Sequence, residues 1–119
     1  MTDIIHLTIP AKAEYMVCLR LTASCVAEQI GFDIETIEDI KTAVAEAGLQ
    51  LLQITEDHML SAEFKAEEAL RIEIATASVK RPVATPESEI SAFLLEALTD
   101  SVEFIQQDGV SKYILTKSC

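Results

Sequence analysis

The apolar residues of this chain switch back and forth between a period of two and a period of three to four. That switching constrains the fold more than any other feature. Alternation from Ile4 to Ile9 puts Ile5, Leu7 and Ile9 on one side of a strand, which Pro10 stops. From about Ala13 the spacing turns helical. Tyr15, Cys18, Leu19, Thr22, Val26 and Ile30 share a face, Arg20, Ser24 and Glu28 lie opposite, and Gly31 ends the run. Asp33 is placed to cap a second helix, with Glu35, Glu38 and Asp39 toward its positive end. The stripe of that helix, Ile37, Ile40, Val44, Ala47, Leu51 and Ile54, is the clearest element signal in the sequence.

After Asp57 the alternation returns. Leu60, Ala62, Phe64 and Ala66, a turn at Glu67-Glu68-Ala69, then Leu70, Ile72 and Ile74 read as an antiparallel hairpin. Thr76 to Thr85, with Pro82 and little periodicity, reads as a loop. Thr85-Pro86-Glu87 reads as an N-cap, a first-turn proline and a first-turn acid. The helix that follows is expected to bury Ile90, Phe93, Leu94, Ala97, Leu98 and Ser101. Val102, Phe104 and Gln106 then alternate into Asp108-Gly109, a two-residue turn signal, and Val110 to Thr116 return as the last strand. The order β-α-α-β-β-α-β-β predicts an α+β two-layer sandwich. A mostly antiparallel five-stranded sheet would carry three helices on one face.

Composition limits the partners. A chain of 119 residues fits one domain over 1–119, and half of it is apolar, enough for a core without staples. Nine Lys and Arg against 20 Asp and Glu give a net charge of −11. Such a surface repels phosphate backbones and anionic headgroups, so neither nucleic acid nor membrane is the expected partner, and proteins with neutral or basic surfaces are. No apolar run nears the roughly 20 residues of a membrane span. The start, Met1-Thr2-Asp3, lacks the basic and apolar segments of a signal peptide, and the expected location is cytoplasmic. Cys18, Cys25 and Cys119 form neither a disulfide framework nor a zinc motif. Cys18 and Cys25, about 10 Å apart on one helix, read as core hydrophobes.

Chemistry-bearing patterns are few. The glycines are Gly31, Gly48 and Gly109, each with a structural role available: helix end, close helix packing and hairpin turn. A phosphate-binding loop needs clustered glycines, and there is no cluster. His6 and His58 have no companions at metal-ligand spacing. On the second helix Asp39, Glu46, Gln50 and Gln53 form a band opposite the apolar stripe. Glu46 and Gln50 are neighbours one turn apart, as a water- or metal-positioning pair would be, and as a solvated helix face would be too. Glu87 and Glu89 suit the positive end of the last helix.

Three stretches resemble the bacterial anti-sigma-factor serine kinases, of the Bergerat-fold ATPase superfamily with the histidine kinases. They are Ile9-Pro10-Ala11-Lys12-Ala13-Glu14-Tyr15, Leu19-Arg20-Leu21-Thr22 and Ile37 to Ala47. The likeness resumes at Leu70–Ala75, Phe93–Val102 and the Asp108-Gly109 hairpin. It implies a sandwich with helices on one face of a mixed sheet. It also implies a nucleotide site whose catalytic Glu falls on Glu46. The family's magnesium-coordinating Asn falls on Gln50, whose extra methylene displaces the amide. The Asp-x-Gly that recognises adenine falls on Thr76-Ala77-Ser78, losing both functional residues. The long lid is cut to about ten residues, and the Gly-x-Gly facing the phosphates falls on Glu89-Ile90-Ser91. There a carboxylate stands where phosphate would bind, and two such charges about 4 Å apart repel by roughly 1 kcal/mol in water. Pro82 and Pro86 remove further N–H donors.

The resemblance therefore implies a degenerate, shortened member that retains the architecture: an anti-sigma-factor-like regulator that binds protein and uses no cofactor. Glu46, Gln50, Thr76, Ser78, Glu89 and Ser91 would line a vestigial pocket. The family binds a sigma factor or its antagonist through the first helix and forms homodimers, and Arg20 matches a position on that helix. An Arg there suits a protein contact or a surface ion pair equally. Two alternatives stand beside this reading. One is a working serine/threonine kinase using ATP and magnesium with Glu46 as base. The other is a sensor that binds a small neutral or cationic ligand in the emptied cleft.

Overall fold

The sheet is built from strands whose pairing is antiparallel throughout. The computed structural model describes residues 2–118. Met1 and Cys119, which entered the readings of the chain's start and of its cysteines, lie outside the described residues. The elements run β1 (Asp3–Pro10), a single 3-10 turn (Ala13–Tyr15), α1 (Met16–Ile30), α2 (Ile34–Leu52), β2 (Met59–Ala66), β3 (Ala69–Ala77), α3 (Pro86–Leu98), β4 (Ser101–Gln107) and β5 (Val110–Ser118). Strand order is β1-β2-β3-β5-β4. Each neighbouring pair is antiparallel, so the predicted sandwich is observed and the mixed sheet implied by the family resemblance is not.

Alternation fixes which face each strand buries. Leu60, Ala62 and Phe64 of β2, Leu70, Ile72 and Ile74 of β3, and Leu115 of β5 point into one cluster with the helices. The opposite face is polar. His6, Glu63 and Glu73 stand in one cross-strand row, and Lys112 donates to Glu73 at 2.9 Å while Arg71 approaches it at 3.4 Å. The helices lie side by side over the apolar face, with α1 over β2 and β3, α2 over β3 and β5, and α3 over β4. The α2 stripe of Ile40, Ala43, Val44, Ala47 and Leu51 is dry. Gly48 sits on that stripe against α1. A Cβ there would fall 2.6 Å from Met16 Sδ and 3.0 Å from Leu19 Cδ1, which is the close packing expected of it.

The helix caps follow the sequence. Thr36 N–H donates to the Asp33 side chain at 2.8 Å. Thr85 and Ser88 exchange bonds in a capping box with Pro86 at the first position. Asp108 and Gly109 both take positive φ, as a primed two-residue turn requires, and glycine adopts that conformation without a Cβ clash.

Several expectations are corrected. Pro10 does not stop the strand from outside but is its last residue, paired with Met59; an edge strand has no partner for the N–H that proline lacks. Thr76 belongs to β3, opposite Ser111, and not to the following loop. The α1 stripe is rotated by about one residue. Met16, Leu19, Ala23, Val26 and Ala27 are buried, Tyr15 and Cys25 are exposed, and Cys18 is half-buried. The last helix ends at Leu98, and Ser101 opens β4. The residues of α3 that reach the core are Ser91 and Leu95, whereas Ile90 is 62% and Phe93 71% exposed. Apolar residues ring α3 on both sides, so its period cannot say which side turns inward.

Two outcomes follow. Gly48→Ala gains about 1 kcal/mol of helix propensity, and Met16 is flexible enough to swing aside, so its urea midpoint stays close to wild type. Gly48→Leu cannot be accommodated and loses about 1–3 kcal/mol in the same denaturation. Stability also depends on acid. Thr36 holds the Asp33 carboxyl below its ordinary 3.8, Lys112 holds Glu73 below 4.5, and the Ser118 N–H holds Asp100 below 3.8. Each stays ionised in the fold at a pH where the unfolded chain already takes up its proton. The contribution is present above the ordinary values and lost as pH falls through the lower folded ones. Melting temperature is therefore level down to about pH 5 and drops steadily below about pH 4.

Candidate functional site

Helix α2 presents Glu46 and Gln50 half-buried on the flank facing α3. The capping box at Thr85–Ser88 sets the start of α3, and one turn on, Ser91 is only 2% exposed. Its hydroxyl donates to Glu46 Oε2 at 2.9 Å. Two of the residues matched to the family's nucleotide pocket are thus brought together, and they engage each other. One oxygen of the carboxylate matched to the family's catalytic acid accepts a bond from α3, which lies alongside it.

At the opposite end, the positions matched to the adenine-recognising motif are used for structure. Thr76 is buried. Its hydroxyl donates to the Met59 carbonyl at 2.8 Å and lies 2.6 Å from Thr55 Oγ1. Asp57 Oδ1 accepts from the Met59 N–H at 3.1 Å, which holds the Asp57 carboxyl below the ordinary range, and it lies 3.3 Å from both threonine hydroxyls. His58, at positive φ, donates its N–H to Thr55 Oγ1 at 3.1 Å. This knot ties the connection after α2 to β2 and β3. Glu56 adds to it, donating its N–H to the Ala77 carbonyl at 2.9 Å and accepting from the Val79 N–H at 2.6 Å.

Ser78 is likewise buried. Its N–H donates to the Gly109 carbonyl at 2.9 Å, and its own carbonyl accepts from Ser111 Oγ at 3.0 Å. Gln106 Nε2 bonds both Ser111 Oγ at 3.0 Å and the Lys80 carbonyl at 2.6 Å. The β4–β5 hairpin therefore pins the start of the eight-residue connection 78–85. Glu89 is exposed, and its N–H donates to the Thr85 carbonyl within the first turn of α3. That N–H is satisfied by the helix and the neighbouring Pro86 has none, so backbone donors do not gather for a phosphate here.

Taken residue by residue, the set does not fit a magnesium nucleotide. The acid is hydrogen-bonded to Ser91, the matched adenine position is a buried internal Thr, and the phosphate end lacks glycine. Among the described residues, no three His, Cys, Asp or Glu gather as a metal site. Arg20 lies away from all of this on the outer face of α1, flanked by exposed Val17 (49%) and Leu21 (63%). Among the described residues no carboxylate comes within ion-pair distance of it. Sequence reasoning missed Thr55, Asp57, Gln106 and Ser111. Thr55-x-Asp57 after a helix is a turn pattern that signals the first two. The other two follow only from the β3–β5 register.

No protein-family model matches the chain. Curated relatives do. A serine-protein kinase RsbW of Bacillus cereus (strain B4264) is 27% identical over 137 residues, covering 95% of this chain and 83% of that protein. A serine-protein kinase RsbW of Bacillus anthracis is 28% identical with the same coverage. The matched span exceeds the 119 residues of this chain, so the relatives carry extra residues within it. The crystal structure of the RsbU and RsbW domains of a Mycobacterium tuberculosis protein superimposes with a TM-score of 0.72 at 16% identity. It covers 98% of this chain, which spans 32% of that one. The resemblance to the anti-sigma-factor serine kinases is borne out along the chain.

Thr76→Val keeps the shape of the side chain and removes its hydroxyl. The Met59 carbonyl and Thr55 then lose a buried partner, and the variant is expected to lose about 1–3 kcal/mol in urea denaturation.

Proposed function

We propose that this relative of the anti-sigma-factor serine kinases is a regulator that works by binding protein, without binding ATP or transferring phosphate. The observation that carries the reading is the Ser91–Glu46 hydrogen bond, which seats α3 on the residue a kinase would use as base. The internal ties of Thr76 and Ser78 support it, and so does the short 78–85 connection in a chain whose relatives are longer within the matched span.

The partner-binding face is α1. Arg20, unpaired among the described residues, stands beside exposed Val17 and Leu21, and an arginine next to exposed apolar side chains is a common energetic centre of protein interfaces. The partner is a sigma factor or an antagonist of such regulators, and the chain acts as a homodimer. The cytoplasm is the proposed location; no described helix is long and apolar enough to cross a membrane. The net charge of −11 keeps nucleic acid and anionic membranes at a distance.

A second reading, an active serine/threonine kinase with Glu46 as base, is favoured by the names of the relatives. Calorimetry separates the two. Titration with magnesium ATP is expected to give no saturable heat. A dissociation constant below about 100 µM, near 5.5 kcal/mol, together with phosphotransfer that Glu46→Gln abolishes, would favour the kinase. Arg20→Ala is expected to weaken binding to the cognate sigma factor or antagonist by about tenfold or more, with the melting temperature unchanged.

A further inference from the structure

We infer that the outer face of α3, with the groove beside it, is a docking site for a basic amphipathic helix of another protein. This surface is separate from the Arg20 face, because α2 lies between α1 and α3. The inference does not rest on the Arg20 reading.

The first observation is the misplaced apolar face. Pro86, Ile90, Phe93 and Ala97 recur at three- and four-residue spacing on one stripe of α3, and all four are exposed. The inward side of the same helix is apolar too, through Leu95 and Leu98. A helix apolar on both sides is suited to burial on both, and this fold covers only one. Phe93 at the centre of the stripe offers the large aromatic anchor around which interfaces concentrate their energy.

The second observation says what covers it. At 100° per residue, Glu89 and Glu96 border the stripe on one side and Glu87 on the other, and all three are exposed. Beyond Glu96 the surface dips into a groove of about 260 Å³, where Ala92 and Leu95 face Val102, Phe104 and Tyr113. A carboxylate therefore stands on the lip between two apolar seats. A second copy of this chain would set the same carboxylates against each other. A helix with apolar anchors and flanking Lys or Arg matches both the apolar seats and the acidic rim, and the chain's −11 charge steers it in.

The full chain is titrated with a fluorescent Leu/Lys amphipathic peptide of about 18 residues and with its Leu/Glu counterpart, read by anisotropy. Binding of the Leu/Lys peptide is expected, weakening as salt rises from about 50 to 500 mM. Phe93→Ser and Ile90→Ser, both at exposed positions and checked for folding by circular dichroism, are expected to weaken it about tenfold or more. Glu89→Gln with Glu96→Gln is expected to reduce the salt dependence, while Arg20→Ala leaves binding unchanged. No binding of the Leu/Lys peptide, equal binding of the Leu/Glu peptide, or indifference to Phe93→Ser overturns the proposal. So does sedimentation showing a dimer that Phe93→Ser dissolves, since the occupant is then a second copy. Loss of binding in Arg20→Ala alone would move the peptide to α1 and leave the regulator reading intact.

Discussion

Everything in this molecule is arranged around the dry stripe of α2. Ile40, Val44, Ala47 and Leu51 have essentially no contact with water, and they lie on the helix that packs over β3, the central strand, and β5 beside it. Gly48 lets α1 approach on one flank, and Ser91 holds α3 on the other. A one-sided sheet has only this layer to exclude water from its apolar face, so the three helices must lie close together. The functional consequence comes from that closeness. The flank of α2 that carries Glu46 is where α3 lies.

Much of this architecture was legible in the sequence because it is written in local periodicity and turn chemistry. Asp33 and Thr85 cap the helices they were expected to cap, and Asp108-Gly109 makes the expected turn. The α2 stripe is one-sided and reads unambiguously. The face of α3 was not legible, since Ile90 and Phe93 carry the same periodic signal as Leu95 and Leu98. Only tertiary packing chooses between them. Cys25, expected in the core as a small hydrophobe, is exposed because it lies off the buried α1 stripe of Met16, Leu19, Ala23, Val26 and Ala27.

The candidate site divides in the same way. The family likeness marks Glu46, Gln50, Thr76, Ser78, Glu89 and Ser91 as positions of interest; Thr76, Ser78 and Ser91 are buried, Glu46 and Gln50 half-buried, and Glu89 exposed. What they do there was not legible. Ser91 and Glu46 are 45 residues apart and meet only when α3 packs, while Thr76 meets Thr55 and Asp57 through strand register. Hydrogen bonds between distant side chains leave no pattern in a single sequence. In this fold these polar residues fasten α3 to α2, the connection after α2 to the sheet, and the start of the 78–85 connection to β5.

The strand order has a consequence for how the molecule comes into being. β5 is the last strand along the chain, yet it lies between β3 and β4, and β4 joins the sheet through β5 alone. Until β5 is in place, β3 offers an open hydrogen-bonding margin and β4 has nowhere to attach. Closure of the sheet thus waits on contacts made across a long stretch of polypeptide. Such contacts cost loop-closure entropy before they return any stability, and a topology built on them folds slowly.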